Sequence, residues 1–254
     1  MVRSSVSKFI APLCLSLGVA STGAIAQDQG EWDLSFGLKT NHLWHGFIVT
    51  DGVMSATSLA YTTANDKTTF GFWGGGSFNG EFKEFTYYAS HKFSDNLFVE
   101  IVNHGNHSGI DDSEVDIFNY SSDPSKTGNF TDIGLGYTFG GDMPLSVYYA
   151  VIVQGIDKFE NDDGELERSY TNYIEFNKPV WKGPEGESLG VFLGGAFSPV
   201  QDRNFYYEKA AINNVGLTFK KELTFMDKTF PVSTTAMWNP ALDHGALQFA
   251  IDLF

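Results

Sequence analysis

Hydrophobic and polar residues alternate along most of this chain from residue 31 onwards. Twelve segments show a period of two and are bounded by turn residues, which is typical of strands whose two faces meet different surroundings. They lie at residues 31–46, 53–63, 67–76, 81–93, 96–104, 129–139, 144–157, 168–180, 187–199, 210–224, 229–239 and 245–254. No segment of comparable length shows a helical period, so the pattern predicts an all-β chain in a single domain.

The final segment carries the same alternation up to its last residues. Its greasy face holds Leu247, Phe249, Ile251 and Leu253, and its mixed face holds Ala246, Gln248, Ala250 and Asp252. A terminal strand must find a partner or leave an open edge. Residues 32–44 alternate in the same way, so we expect the last strand to pair with the first. The fold predicted is a closed, antiparallel, up-and-down transmembrane β-barrel of twelve strands.

The connections between the segments fall into two length classes. Those after even-numbered segments are short, at residues 64–66, 94–95, 140–143, 181–186 and 225–228. Several of those after odd-numbered segments are long and polar, at 105–128, 158–167 and 200–209. This sorting is typical of bacterial outer-membrane barrels. It predicts that both ends of the barrel domain lie on the short-turn side, and that loop 105–128 is long enough to fold inward and constrict the lumen.

The first 26 residues have the features of a cleaved signal peptide. Arg3 and Lys8 give a basic start, residues 9–20 are apolar, and Ala24-Ile25-Ala26 is a small-x-small cleavage site. We therefore expect residues 27–254 to be exported to the outer membrane of a Gram-negative bacterium. Cys14, the only cysteine, lies in this leader, so the exported chain has no disulfide.

Composition narrows the function classes. Loss of the two leader bases changes the formal net charge from −15 to −17. This acidic charge argues against nucleic-acid binding, because phosphates are neutralised by basic side chains. Aromatic residues make up 15% of the chain and 27 residues are glycine, a composition typical of barrel strands in which only alternate residues meet lipid.

The more hydrophobic face of each segment is expected to face lipid. The alternate residues, on the other face, carry most of the charged side chains and are expected to face the lumen. Tryptophans fall near segment ends: Trp32 and Trp181 at the short-turn end, Trp44 and Trp238 at the loop end, as two aromatic belts require. The expected pore-lining residues are Lys39, His45, Glu84, Lys92, Glu100, Asp132, Glu175, Lys220 and Glu222. Because inward acids outnumber inward bases, an open lumen would prefer cations.

One stretch resembles a known family. Residues 40–47 read Thr-Asn-His-Leu-Trp-His-Gly-Phe, and Phe72-Trp73-Gly74-Gly75 and residues 83–88 follow on later segments. These residues resemble the proteobacterial TorF-type porins and related small outer-membrane β-barrel proteins. Trp44 and Gly46 match the family's aromatic and glycine positions, and His45 occupies the position of the family's arginine. The resemblance implies a small barrel with a channel function and no specified substrate.

Two alternatives to a passive channel remain open. An outer-membrane lipid hydrolase would use His104 or His107 with Ser108, although spacings of four and one residue place neither imidazole beside the hydroxyl on an extended strand. A non-conducting structural barrel would have a lumen closed by ion pairs. We favour the channel and predict no enzymatic activity.

Ligands and partners are predicted as follows. The chain has no phosphate-cradling loop and no Cys/His zinc spacing, so we expect no cofactor. The acidic runs at Asp111–Asp116 and Glu160–Glu165 could hold a divalent cation, or be simply solvated.

Expected partners are outer-membrane lipids, lipopolysaccharide and the barrel-assembly machinery. The assembly machinery would bind the last strand, which ends at Phe254, either in register or with that residue frayed.

Overall fold

A computed structural model describes residues 29–121, 123, 126–142, 144–161 and 163–254. The predicted signal peptide, with Cys14, lies outside the described residues. No helix among them is long and apolar enough to cross a membrane.

Sixteen β-strands occur in this part of the chain. In chain order they are β1 (Glu31–Lys39), β2 (His42–Trp44), β3 (Phe47–Thr50), β4 (Met54–Thr62), β5 (Thr68–Ser77), β6 (Lys83–Lys92), β7 (Leu97–Gly105), β8 (Asn129–Thr138), β9 (Ser146–Gly155), β10 (Lys158–Glu160), β11 (Leu166–Arg168), β12 (Asn172–Lys182), β13 (Ser188–Phe197), β14 (Ala211–Phe225), β15 (Lys228–Asn239) and β16 (His244–Asp252).

Twelve of these strands form a closed antiparallel barrel. Around the wall the order is β1, β4, β5, β6, β7, β8, β9, β12, β13, β14, β15 and β16, and β16 pairs back to β1. The closing register places Gly37 opposite Asp252 and Lys39 opposite Ala250. The predicted fold class and strand number are therefore confirmed. The other four strands form two small hairpins, β2–β3 and β10–β11.

The two ends of the barrel differ, and we call them the turn end and the loop end. The turn end carries short connections, such as the two residues between β14 and β15, together with the start of β1 and the end of β16. The loop end carries the connections that contain the two small hairpins, and the long β7–β8 and β13–β14 loops.

Alternation along the strands sorts side chains to the two faces of the wall. Most outward positions are apolar and many are exposed, among them Leu34, Phe70, Phe72, Ile101, Ile133, Leu135, Leu193, Leu217 and Phe249. The outward lysines Lys178 and Lys221 lie towards the turn end. The inward positions next to them carry small, polar, charged and aromatic residues. Inward Gly71, for example, leaves room for the Tyr88 ring, which lies 2.3 Å from the place a Cβ would occupy.

The first predicted strand is longer than the real one. The segment at 31–46 leaves the wall after Lys39, and residues 42–50 form the β2–β3 hairpin inside the barrel. Trp44 consequently lies among interior rings and does not belong to an aromatic belt, whereas Trp32, Trp181 and Trp238 are exposed. The prediction for Trp44 was wrong because alternation continues through the hairpin without marking the point where the chain turns inward.

The long β7–β8 loop also differs from the expectation that it could fold inward. Its Phe118 and Tyr120 contact outward-facing Tyr87, and the Gln154 amide donates to the Tyr120 carbonyl at 2.7 Å. The loop therefore lies against the outer side of the wall near the loop end. Apolar rings on this loop find an apolar partner outside, while the interior is occupied by the β2–β3 hairpin.

An outward charge should disrupt this architecture more than an inward one. We expect Leu135→Lys, on the exposed face of β8, to destabilise the lipid-embedded barrel by about 2–4 kcal/mol. Thr235→Lys, on the inner face of β15, is the matched control and should cost much less. Urea unfolding in lipid vesicles measures both, and an equal loss from the two variants would contradict the assignment of faces.

Candidate functional site

The β2–β3 hairpin, which we call the inner hairpin (residues 42–50), is the main feature of the barrel interior. Its last paired residues are Trp44 and Phe47, so His45 and Gly46 form a two-residue turn. Their φ angles are 46° and 86°. Two successive positive φ values are those of a type I′ turn, which suits the twist of a hairpin.

Two asparagine side chains bind this turn. Asn213 Nδ2 donates to the His45 carbonyl at 2.9 Å, and Asn239 Nδ2 donates to the Gly46 carbonyl at 3.1 Å. Both asparagines are essentially fully buried. Asn213 is the extra residue of a bulge in β14, where the pairing with β13 shifts. The turn is therefore fastened to two adjacent wall strands, β14 and β15.

The other end of the inner hairpin contacts a distant part of the wall. The His42 ring lies 5.5 Å from the Trp73 ring on β5 and 5.4 Å from Phe82, just before β6. Because β5 and β14 are separated by several strands in either direction around the wall, the hairpin crosses the lumen from side to side. It narrows any passage near the loop end of the barrel.

Aromatic rings surround the tip of the inner hairpin. The His45 ring stacks on Tyr173 with centroids 3.8 Å apart, and its Nδ1 is 2.8 Å from the Tyr206 hydroxyl. The Trp44 ring lies 5.7 Å from Phe130 and 5.5 Å from Tyr206. Tyr206 belongs to the β13–β14 loop, so this second loop also folds inward and packs on the hairpin.

Four carboxylates line the wall on the β6–β12 side, and we call them the acid wall. They are Glu84 on β6, Glu100 on β7, Asp132 on β8 and Glu175 on β12. Each has a hydrogen-bond partner on the inner face, and these partners include the Thr86 hydroxyl for Glu84 (2.8 Å), the Tyr148 hydroxyl for Glu100 (2.9 Å), His104 Nε2 for Asp132 (3.1 Å) and the Asn214 amide for Glu175 (2.8 Å). Such hydrogen bonds fix the position of each carboxylate, and the His104 ring also lies 4.0 Å from Glu84.

The remaining predicted lining residues lie elsewhere on the wall. Lys39, at the end of β1, is close enough to Glu84 and Asp252 to interact electrostatically with both. Lys220 lies on the inner face of β14 and is exposed. Lys92 and Glu222 lie near the turn end, also exposed. The structure thus brings His45 near the acid wall and leaves Lys92 and Glu222 apart from it.

The geometry does not assemble the pair that a lipid hydrolase needs. His104 Nε2 bonds to Asp132 inside the barrel, whereas the Ser108 hydroxyl accepts from the Lys83 backbone N–H at 3.2 Å. Burial lowers the pKa of His107, and its buried Nε2 has no hydrogen-bond partner. Among the described residues, no imidazole nitrogen hydrogen-bonds to the Ser108 hydroxyl.

No group of three or more His, Cys, Asp or Glu side chains able to hold a metal ion occurs in the part of the chain that the structure describes. In the acidic run of the β7–β8 loop, Asp111 accepts hydrogen bonds from Ser113, and Asp112 pairs with Lys83. The structure gives these two carboxylates protein partners.

Sequence reasoning missed most of the residues that hold the inner hairpin. They are Tyr148, Tyr173, Phe205, Tyr206, Asn213, Asn214 and Asn239. One usable signal was the Gly46 position, since a residue pair ending in glycine between two alternating runs indicates a tight hairpin turn. A second was asparagine within segments that are otherwise strand-like, because an amide inside a barrel requires a partner.

Gly46 provides a direct test of how the hairpin is seated. A Cβ at this residue would lie 1.8 Å from the Asn213 carbonyl oxygen, and φ is +86°. Gly80 has a similar φ of +78° but nothing within 4 Å. We expect Gly80→Ala to lose only the roughly 1–2 kcal/mol cost of a left-handed residue. Gly46→Ala should lose more and release the hairpin, seen as faster hydrogen exchange at residues 42–50. Equal behaviour of the two variants would contradict this seating.

Comparisons with known proteins give distant similarities. No protein-family model matches the chain. No curated protein matches it either. Among solved structures it is similar to the NanC porin in a rhombohedral crystal form, with 8% identity, 87% of this chain and 98% of that chain covered, and a TM-score of 0.48. It is also similar to Wzi, an Escherichia coli outer-membrane protein involved in group 1 capsule assembly and described as a carbohydrate-binding β-barrel. That similarity has 8% identity, covers 87% of this chain and 56% of Wzi, and has a TM-score of 0.35. At 8% identity neither similarity assigns a function to this chain.

Proposed function

We propose that this chain is a porin-like channel of the outer membrane, through which small hydrophilic solutes or ions diffuse passively. The observation that carries the proposal is the closed wall with apolar residues exposed outside and charged residues inside. A continuous band of apolar side chains around the outside is unfavourable for a barrel in water, whereas a barrel in lipid requires it.

The wall also suits a bilayer in its dimensions. Its strands contain 9 to 15 residues, and about 9–11 residues cross the hydrocarbon layer when a strand is tilted. Closure pairs the backbone along the sheet, as is needed where lipid offers no hydrogen bonds. Trp32, Trp181 and Trp238 are exposed on the outside, where aromatic rings meet the membrane–water boundary.

The inner face supports a water-filled passage in the turn half of the barrel. Thr218 and Thr235 face inward and their hydroxyls are 2.9 Å apart, and Lys220 nearby is exposed. Towards the loop end, the inner hairpin crosses the lumen. The combination supports small solutes, because the hairpin restricts the space that twelve strands would otherwise enclose.

The finer parts of the proposal concern charge, membrane partners and family. Acidic side chains outnumber basic side chains on the inner face of the barrel, and this excess supports a preference for cations. Export through the predicted leader, contact with lipopolysaccharide and assembly through the last strand follow from an outer-membrane location. The Phe254 ring stacks on outward-facing Phe36, 5.8 Å away. The Phe254 carbonyl also accepts from the Phe36 N–H at 2.8 Å, so the last residue stays paired with β1 while its ring lies on the outer face. The TorF-type resemblance remains an expectation drawn from residues 40–47.

A non-conducting barrel is the second candidate, because aromatic rings pack closely around the inner hairpin. The two candidates differ in a bilayer experiment. We expect the wild-type protein to conduct in planar bilayers, and a variant with residues 41–51 replaced by a short Gly–Ser linker to show a severalfold larger unit conductance. Shortening the β7–β8 loop, which lies outside, is the control and should leave conductance unchanged. Conductance only after deletion would favour the closed barrel, and none in either would refute the channel.

Charge-neutral variants test ion preference. In a KCl gradient we expect a reversal potential that indicates cation preference. Glu100→Gln keeps the side-chain shape and should move it towards zero, whereas Lys220→Gln should move it further towards the cation value. Anion preference of the wild-type channel would contradict the assignment of the acid wall.

A further inference from the structure

A buried carboxylate lies at the loop end of the barrel, two residues beyond the end of the wall strand β9. Asp157 follows β9 and is 4% exposed. Its Oδ2 accepts from the Thr171 backbone N–H at 2.7 Å, and its Oδ1 accepts from the Thr171 hydroxyl at 2.7 Å. Asp157 therefore binds the residue that precedes β12, across the base of the β10–β11 hairpin.

Thr171 extends this contact to the loop that folds inward. Its Oγ1 also accepts from the Phe205 backbone N–H at 2.8 Å. Thr171 is 1% exposed, so loss of the hydroxyl would leave a buried N–H without its acceptor, which is costly. The backbone of the β13–β14 loop is thereby held at Phe205 by a side chain outside that loop.

Phe205 and Tyr206 are the residues of this loop that contact the inner hairpin. The Phe205 ring lies 6.2 Å from Trp44 and 6.4 Å from Phe47. The Tyr206 hydroxyl is 2.8 Å from His45 Nδ1. A continuous series of hydrogen bonds and chain neighbours thus links Asp157, through Thr171 and the loop, to the turn of the inner hairpin.

A second pair of contacts holds the start of the same loop. The Ser198 hydroxyl donates to the Ser169 carbonyl at 2.5 Å, and the Gln201 amide donates to the Ser169 hydroxyl at 2.7 Å. Ser169 and Thr171 therefore hydrogen-bond to the β13–β14 loop at two points, its start and Phe205.

We propose that Asp157 and Thr171 are positioning residues of the channel constriction, which seat the inner hairpin through Phe205 and Tyr206 without touching the solute. The proposal extends the proposed channel function, and it places control of the constriction in a connection at the loop end. A change in the β9–β12 connection then alters how firmly the inner hairpin closes the lumen.

The test uses a matched pair of variants at one residue in the full-length exported chain, refolded in lipid. Thr171→Val removes the hydroxyl and keeps the shape, whereas Thr171→Ser keeps the hydroxyl. We expect Thr171→Val to speed hydrogen exchange of residues 42–50 by about fivefold or more, the factor that loss of one such hydrogen bond gives. Thr171→Ser should exchange like the wild type. Asp157→Ala, which leaves the Thr171 N–H and hydroxyl without their acceptors, should resemble Thr171→Val and is the alternative variant if Thr171→Val does not fold.

The control is Ser58→Ala, which removes a buried hydroxyl that bonds to Ser35 at 3.0 Å on the opposite part of the wall. It should leave residues 42–50 unchanged. Unchanged exchange at residues 42–50 in Thr171→Val, or an equal increase along β14 and β15, would overturn the proposal. Conductance is measured in parallel and should rise in Thr171→Val. If no variant conducts while exchange behaves as expected, the channel function fails and the positioning role stands.

Discussion

Pairing of β16 with β1 is the constraint on which the rest of the structure depends. It joins residues 37–39 to 250–252, and the ladder continues with the Thr40 N–H donating to the Phe249 carbonyl at 2.9 Å. Without this pairing each terminal strand would present an unpaired edge, which lipid cannot satisfy. Closure also turns the simple alternation of the strands into an outside and an inside, so every later feature of the interior follows from it.

The interior is then organised by how side chains lie on the wall. Glycines leave room for rings to lie flat: a Cβ at Gly194 would be 2.3 Å from the Tyr173 hydroxyl, and one at Gly216 would be 2.4 Å from the Phe192 ring. Tyr173 in turn supports the His45 ring of the inner hairpin. Gly194 thus serves the packing of a segment that is not part of the wall.

In the proposed channel, the size and the charge of the passage have different origins in the molecule. The inner hairpin and the β13–β14 loop restrict the space inside the barrel, and the acid wall would supply the electric field that acts on a solute. Neutral donors such as Tyr148 and Asn214 hold Glu100 and Glu175 in place. In the role that we propose for it, Thr171 seats the inner hairpin through Phe205 and takes no part in the charge of the acid wall.

The sequence by itself determined the twelve wall strands, their order, the face of most wall residues and the closure, because a period of two with polar turns is satisfied when alternate residues face the two sides of a closed sheet. It also placed Glu84, Glu100, Asp132 and Glu175 on the inner face. Only the tertiary structure decided that the chain turns inward after Lys39 and that the β7–β8 loop lies outside. Alternation is satisfied equally by a wall strand and by a hairpin between interior rings. The choice rests on contacts distant in sequence, such as those of Asn213 and Asn239 with the turn at His45 and Gly46.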